Sequence, residues 1–185
     1  MGRFNLIETG IEDLKVIKYK PFNDARGYFF EAYNKNDFIK LGITKEFVQD
    51  NQSMSSKGVL RGLHFQINYP QAKLVRCLKG KVYDVAVDIR KNSKTYGKYY
   101  GVELTEDNNT MFFIPENFAH GFLVLSDIAI FTYKVTDFYH PNDEGGIIWN
   151  DPSLNIKWPI PNDKDFKILL SDKDKIHPSL SQING

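Results

Sequence analysis

The sequence has a single cysteine, Cys77, among its 185 residues. That scarcity excludes a disulfide framework and a metal site built from several thiolates. No stretch comes near the roughly 20 consecutive apolar residues of a membrane-spanning helix, and residues 1–10 lack the apolar segment of a signal peptide. We therefore expect a cytoplasmic protein with no membrane partner. Cys77 lies in the apolar segment 74–78, which favours a buried structural thiol over a nucleophile.

An excess of either charge is also missing, since 24 Lys and Arg face 23 Asp and Glu. A net charge of +1 with dispersed basic side chains gives no electrostatic reason to expect nucleic acid as a partner. The chain has no G-x-G-x-x-G motif to hold a dinucleotide, and we expect no cofactor. With 14% aromatic residues, no low-complexity segment and no linker, the sequence predicts one folded domain over residues 1–185.

What the sequence does contain is a series of short apolar or alternating segments between turn residues, which predicts a mainly β sandwich or barrel. A short helix is predicted over 37–41, with Asn36 as its cap and Gly42 just past its end. Lys79-Gly80 and Ser126-Asp127 are typical of hairpin turns. The last ~35 residues, rich in Pro and Asn, predict loops with short helical turns. The predicted strands are 14–19, 28–33, 58–66, 73–78, 82–89, 98–104, 111–114, 121–125 and 128–137.

Two polar side chains, Arg61 and His64, lie in a predicted apolar strand, where an unpaired polar group is costly. A histidine can move a proton near neutral pH, and a cation can stabilise an oxyanion or hold a phosphate. The combination predicts an enzyme acting on a phosphorylated small molecule, although His64 alone fits a bonded core histidine equally well. A regular strand would place Arg61 and His64 on opposite faces, but Gly62 between them permits a bulge or a close backbone approach. Whether the two side chains share a cavity therefore stays open.

Three further residues fit a structural or a functional role. Asp84 is expected to pair with a cation or a histidine, and a structural pair is favoured. His120 follows a proline turn at the mouth of a strand. Tyr133 fits a core tyrosine, or an acid facing a histidine across a cavity. Because there is no His-x-His, and because His140 and His177 lie in polar loops next to prolines, we expect no metal site.

Nine segments along the chain, in their order and spacing, carry a specific resemblance. They read DARGYFFEAYN, FVQDNQS, GVLRGLHFQ, KLVRCLKG, VYDVAVDIR, FFIPENFAHGFLVLS, YKVTDFYHP, EGGIIWNDP and LLSDKD. From about residue 21 to 174 the chain thereby resembles the dTDP-4-dehydrorhamnose 3,5-epimerases of dTDP-L-rhamnose synthesis. The resemblance implies a cupin-type jelly roll with a few short helices, and a homodimer.

The same resemblance implies roles for individual residues. His64 matches the general base, Asp174 its dyad partner, Tyr133 the acid on the opposite face, and Lys73 the cation beside the keto oxygen. Phe29 and Tyr139 match aromatics near the thymine ring. The segment 171–174, which contains Asp174, is typical of a solvated charge cluster when it is taken alone. The implied substrate-binding positions are Arg26, Phe29, Glu31, Gln49, Asp50, Asn51, Arg61, His120, Tyr139, Glu144 and Lys173, of which Arg26 and Glu31 are expected to complete the neighbouring subunit's site.

The implied reaction converts dTDP-4-dehydro-6-deoxy-D-glucose to dTDP-4-dehydro-L-rhamnose. A proton next to the C4 ketone is removed and another returns from the opposite face, at C3 and at C5. Two alternatives stay open: an epimerase that inverts one centre or uses another nucleotide, and a sugar-nucleotide-binding cupin without catalysis. The last has no need of the acid and base together, so His64, Lys73, Tyr133 and Asp174 argue against it.

Overall fold

The computed structural model describes residues 3–184 and is built mostly from short strands, so the mainly β prediction is confirmed. Within that range, no helix is long and apolar enough to cross a bilayer. The elements are β1 (Phe4–Glu8), β2 (Lys15–Tyr19), β3 (Phe22–Asp24), β4 (Gly27–Phe29), α1 (Lys35–Lys40), β5 (Gln49–Ser56), β6 (Leu60–Gln66), β7 (Lys73–Lys79), β8 (Lys81–Asp88), β9 (Tyr99–Thr105), β10 (Thr110–Ile114), β11 (Phe118–Val124), β12 (Ile128–Val135) and β13 (Glu144–Gly146), with 3-10 turns at Pro141–Asp143 and Gln182–Asn184.

Two antiparallel sheets form the body of the molecule. One has the strand order β1-β2-β10-β7-β12-β5 and the other β13-β6-β11-β8-β9, while β3 and β4 form a separate hairpin. The main core lies between the two sheets and draws on both, as Val16, Phe112 and Phe131 from the first and Val82 and Phe122 from the second illustrate. Burial of these side chains is the main source of stability in such a sandwich.

Part of the outer face of each sheet is covered as well. Phe38 of α1 packs on the first sheet together with Ile17 and Met111. On the second sheet, Leu154 and Leu180 of the C-terminal segment pack against Val85 and neighbouring residues. Polar side chains that point between the two packed sheets are shielded from bulk water.

Several sequence predictions are corrected by the structure. Strand β5 was not predicted, since Gln49–Ser56 is polar; its pairing with all of β12 makes it a strand. Strand β4 ends at Phe29, so the predicted strand 28–33 is wrong beyond that point. The helix begins earlier than predicted, because the side chain of Asn34, rather than Asn36, accepts hydrogen bonds from its first backbone amides.

The two predicted hairpins are turns of another kind. Gly80 separates β7 from β8, and Ser126-Asp127 lies between β11 and β12, but in each case the two strands belong to different sheets. The turns therefore carry the chain from one layer to the other, and a sequence pattern that identifies a tight turn does not distinguish these two uses. The prediction of loops with short helical turns for the C-terminal segment is confirmed, and the 3-10 turn at Gln182–Asn184 is one such turn.

Candidate active site

A cavity of about 310 Å³ opens between the two sheets at one end of the sandwich. It is lined by seven of the residues that the resemblance selected: Gln49, Asn51, His64, Lys73, Tyr133, Tyr139 and Glu144. These residues come from strands β5, β6, β7, β12 and β13 and from the loop after β12, so distant parts of the sequence converge on one space.

A hydrogen-bonded imidazole and carboxylate form the centre of this site. Nε2 of His64 lies 2.5 Å from Oδ1 of Asp174, whose side chain is only 4% exposed. The hydroxyl of Ser171 donates to the other carboxylate oxygen at 2.8 Å. Burial opposes ionisation of Asp174, but the hydrogen bonds from His64 and Ser171 outweigh it and lower the pKa of the carboxyl. The predicted solvated cluster at 171–174 is thus wrong for Asp174, which is buried against His64.

The cavity has chemically different groups on its two sides. His64 belongs to β6 in one sheet, whereas Tyr133 belongs to β12 in the other. Tyr133 lies on the same face of β12 as Phe131 and Val135, because residues two apart in a strand share a face. Those two residues are buried, so the side chain of Tyr133 also points inward. Burial raises the pKa of the Tyr133 phenol, which keeps it protonated at neutral pH, while Arg61 acts in the opposite direction. A molecule bound between the sheets would meet the imidazole on one side and a phenol on the other.

Lys73, at the start of β7, places an amine on the wall of the same cavity. Desolvation lowers the pKa of Lys73 to about 8, against the opposing influence of Asp84 and Glu144. The group therefore still carries a proton at neutral pH, with little water around it to compete for its hydrogen bonds. Such a cation is well suited to stabilise negative charge that develops on a substrate oxygen.

A bulge at Gly62 answers the question that the sequence left open about Arg61 and His64. On β11, His120 pairs with His64, but Phe122 pairs with Arg61 instead of Gly62, because the register shifts between the two pairs. Directly opposed residues of an antiparallel pair share a face, so the bulge places Arg61 and His64 on the same face of β6, although Arg61 is exposed and does not line the cavity. Arg61 reaches across to the first sheet, where its Nε donates to the hydroxyl of Ser55 at 3.1 Å.

Behind the cavity lies a second buried pair, formed by His120 and Asp84. Nε2 of His120 is 3.0 Å from each carboxylate oxygen of Asp84, which is fully buried. Burial lowers the pKa of His120, so the imidazole is neutral at physiological pH. Asp84 therefore has the histidine partner that the sequence predicted.

The outer rim carries the remaining polar residues of the cavity. Lys173, which lines an adjoining cavity, forms an ion pair with Glu144, which lines this one. The side-chain oxygen of Gln49 accepts a hydrogen bond from the backbone N–H of Tyr139 at 3.1 Å, which fixes the half-exposed tyrosine at the entrance. The rim thus offers an exposed ring and a lysine whose partner is a single carboxylate.

Seven of the predicted binding residues do not line this cavity: Arg26, Phe29, Glu31, Asp50, Arg61, His120 and Lys173. Asp50 points to the outer face of the first sheet, where it pairs with Lys134. Arg26 is 89% exposed on the β3–β4 hairpin and contacts Asp24, while Glu31 pairs with Arg3. Phe29, on the same hairpin, is 69% exposed. Arg26, Phe29 and Glu31 therefore do not line the cavity of their own chain.

Sequence analysis missed two residues that the fold brings to the dyad. One is Ser171, which orients Asp174. The other is His177, whose ring lies 5.5 Å from that of His64 in an edge-to-face arrangement. Its position three residues after Asp174 is the signal in the sequence that could have indicated this. Cys77, as expected, is buried in the main core.

Comparison with known proteins identifies the family of the chain. Residues 8–182 match the family model for dTDP-4-dehydrorhamnose 3,5-epimerase. The chain belongs to this family. It is 50% identical over 175 residues to the dTDP-4-dehydrorhamnose 3,5-epimerase of Methanothermobacter thermautotrophicus, covering 95% of this chain and 94% of that protein. The resemblance inferred from the nine segments is therefore confirmed.

Solved structures agree in fold with these epimerases. A dTDP-6-deoxy-D-glucose-3,5-epimerase from Legionella pneumophila, in complex with dTDP-4-keto-L-rhamnose, superposes with a TM-score of 0.93 at 49% identity, covering 97% of this chain and 94% of that one. A 3′-monoepimerase from Streptomyces bikiniensis, in complex with dTDP-quinovose, gives a TM-score of 0.85 at 31% identity, covering 94% and 87%. The cupin-type jelly roll is thus confirmed, and the chain is an isomerase of the sugar-nucleotide epimerase family.

Proposed function

We propose that this chain epimerises dTDP-4-dehydro-6-deoxy-D-glucose at C3 and C5 to give dTDP-4-dehydro-L-rhamnose. One observation carries the proposal: a carboxylate-bound imidazole and a protonated phenol lie on opposite sheets around a single cavity that also holds a lysine. Inversion of a carbon next to a ketone requires those three groups, namely a base on one face, an acid on the other and a cation at the oxygen.

His64 is the base in this proposal. Its Nε2–H donates to Asp174, which leaves the lone pair of Nδ1 free to accept a proton from carbon. The negative charge on Asp174 stabilises the imidazolium that forms, and Ser171 keeps the carboxylate in position. The electrons of the broken C–H bond pass to the keto oxygen, which becomes an enolate.

Lys73 stabilises that enolate. Its ammonium donates a hydrogen bond to the oxygen as charge develops, in a cavity that excludes most water. Tyr133 then gives its proton to the carbon from the opposite side, so the configuration is inverted. Exchange with solvent returns the imidazole and the phenol to their starting states. Because C3 and C5 flank the same C4 ketone, one enolate-stabilising group serves both steps.

The nucleotide half of the substrate is proposed to occupy the rim. The diphosphate would draw Lys173 from its ion pair with Glu144 and engage Arg61, since phosphate oxygens are strong acceptors for such cations. Tyr139 offers an exposed ring on which a planar base can stack. We further propose a homodimer in which Arg26, Phe29 and Glu31 reach the neighbouring subunit's cavity, because they do not reach their own. The cytoplasmic location and the single-domain organisation expected from the sequence remain part of the same proposal.

A single-centre epimerase is the second candidate, because the 3′-monoepimerase has the same fold. The identity to that protein is 31%, against 49% to the Legionella 3,5-epimerase, which favours double inversion. A binding protein without catalysis is disfavoured by the buried dyad, since burying such a pair costs desolvation energy that binding alone does not require.

The test is incubation of dTDP-4-dehydro-6-deoxy-D-glucose with the protein in D₂O, followed by NMR and mass spectrometry. Deuterium at C3 and C5, with a rhamno-configured product, is the expected result. Deuterium at one carbon would instead support the single-centre candidate. The matched control is His64→Asn, which keeps the polar side chain but removes the base, so it should bind the nucleotide and exchange no deuterium. Full exchange by that variant would refute the assignment of His64.

A further inference from the structure

His177 stands beside the His64–Asp174 dyad without a defined part in the proposed reaction. Its side chain is 9% exposed, and its Nε2 lies 3.5 Å from Oδ1 of Asp174. That nitrogen is buried and has no hydrogen-bond partner among residues 3–184. The ring packs against Gly146, where any larger residue would clash with it, so the imidazole is held in place. A buried imidazole nitrogen without a partner is costly and points to a ligand.

Three ligand atoms converge at this point. One ring nitrogen each of His64 and His177 and one carboxylate oxygen of Asp174 all lie within 4.8 Å of one another. Two imidazoles and one carboxylate, with a fourth position open, are a known ligand set for zinc, whose tetrahedral bonds of about 2.0–2.1 Å put neighbouring ligand atoms about 3.3 Å apart. The His177–Asp174 separation of 3.5 Å already fits this spacing, while the His64–Asp174 pair at 2.5 Å would have to open.

The surroundings of the three ligands favour such a site. Ser171 donates to the carboxylate oxygen of Asp174 that faces away from His177, which is the outer support that ligating carboxylates usually have. His64 faces the catalytic cavity, and His177 faces an adjoining cavity of about 960 Å³ that shares Phe65, Gln66 and Glu144 with it. An ion can therefore approach from either side.

We propose that His64, Asp174 and His177 form a binding site for a transition-metal dication of the zinc type, and that the bound ion inhibits the enzyme. Inhibition follows from the chemistry of one imidazole. A metal on Nε2 of His64 requires the lone pair there, so the remaining ring proton moves to Nδ1. Nδ1 then has no lone pair with which to accept a proton from substrate. The inhibition, but not the binding, rests on the proposed epimerase function.

The binding test is calorimetric titration of the tag-free protein with Zn²⁺ in the absence of substrate. We expect one ion per chain, with affinity at least about 10-fold weaker in His177→Asn, because a ligand is lost. The matched control is His140→Asn, which removes a more exposed histidine with the same three-residue spacing to an aspartate, 3.6 Å from Asp137. His140→Asn should bind like the unmodified protein. Equal affinity in His177→Asn, or weaker binding in His140→Asn, would overturn the site.

A second measurement keeps the site testable if His177→Asn does not fold. Co²⁺ in a site with three protein ligands and tetrahedral geometry gives an intense visible absorption, which should appear on addition to the unmodified protein and be displaced by Zn²⁺. Its absence would count against the site without any variant.

The inhibition test uses deuterium exchange with and without Zn²⁺. We expect deuterium exchange to be lost at the Zn²⁺ concentration that saturates the calorimetric site, and to return when a chelator is added. For each variant the rate with Zn²⁺ is divided by the rate without it, so that differences in basal activity between variants do not matter. Binding without inhibition would refute the tautomer argument. Zinc binding by a protein that exchanges no deuterium under any condition would refute the proposed function and leave the metal site standing.

Discussion

At the scale of single residues, the acid and the base of the proposed reaction can be separated experimentally. Tyr133→Phe keeps the aromatic ring in the cavity and removes only the phenolic proton. We expect deuterium exchange to persist, because His64 still forms the enolate, while the yield of inverted product falls by about 100-fold or more. NMR of the recovered substrate and product in D₂O gives both quantities in one sample.

The control for this variant is Tyr100→Phe. Tyr100 packs beside Phe112, with ring centroids 6.0 Å apart, and does not line the catalytic cavity. Its loss of a hydroxyl should change neither quantity. If Tyr133→Phe lost exchange and inversion to the same extent, Tyr133 would act by positioning the substrate rather than as the acid.

The residue scale also shows the limits of a single sequence. Local pattern identified His64 and Tyr133 as polar groups in apolar strands, yet it left each of them with a structural alternative. Only the family resemblance linked His64 to Asp174, which is 110 residues away. The contact of His177 with this pair was not predicted, because it depends on how the loop after Ser171 turns and on the space that Gly146 leaves for an imidazole ring.

At the scale of elements, the bulge in β6 is the feature on which the site depends most directly. Gly62 has a φ of +126°, and a Cβ there would lie 2.5 Å from Cα of Gly121 and 2.7 Å from the carbonyl oxygen of His120. Gly62→Ala therefore combines a disfavoured backbone conformation with a clash between β6 and β11. We expect the free energy of unfolding to fall by about 3 kcal/mol or more, measured by urea denaturation.

Gly27→Ala is the matched control, because Gly27 has the same φ of +126° but no atom within 4 Å of the point that a Cβ would occupy. Within its own chain this substitution carries the conformational cost alone, about 1–2 kcal/mol. The difference between the two variants isolates the close approach of β6 and β11. Equal losses would mean that the backbones separate to accept the methyl group, and that their contact is not a constraint on the site.

The same scale explains which elements the sequence could predict. Strands such as β7, β8 and β12 are apolar, and their cores were predicted correctly from pattern alone. Strand β5 was missed because its residues are polar on both faces: Gln49 and Asn51 point to the cavity, and Asp50 points to solvent. Its structure comes from pairing with β12, which is tertiary information that local propensity does not contain.

At the scale of the whole molecule, the β3–β4 hairpin carries aromatic side chains that the single chain leaves exposed. Phe22, Tyr28 and Phe29 are 62%, 69% and 69% exposed, although aromatic side chains of this size are usually covered. The hairpin also carries Arg26, at 89% exposure. In the proposed homodimer, a second copy of the chain would bury these rings and receive Arg26 in its own cavity.

Co-expression of two differently tagged variants tests this exchange. One chain carries Arg26→Ala and the other His64→Asn, and the mixed dimer is isolated by both tags. If Arg26 acts in the neighbouring site, the Arg26→Ala chain has its own His64 and receives an intact Arg26, while the other site has neither. The mixed dimer should then have roughly half the wild-type activity, from one working site in two.

The control reverses the arrangement of the same two substitutions. A chain carrying both Arg26→Ala and His64→Asn is paired with an unmodified chain, so that neither site has both intact residues if Arg26 acts across the interface. This dimer should be nearly inactive, whereas it would keep about half the activity if Arg26 served its own chain. The two dimers contain the same substitutions. If Arg26 acts in the neighbouring site the first dimer is the more active, and if it acts in its own site the second is. A general loss of stability would lower the activity of both and cannot imitate either result.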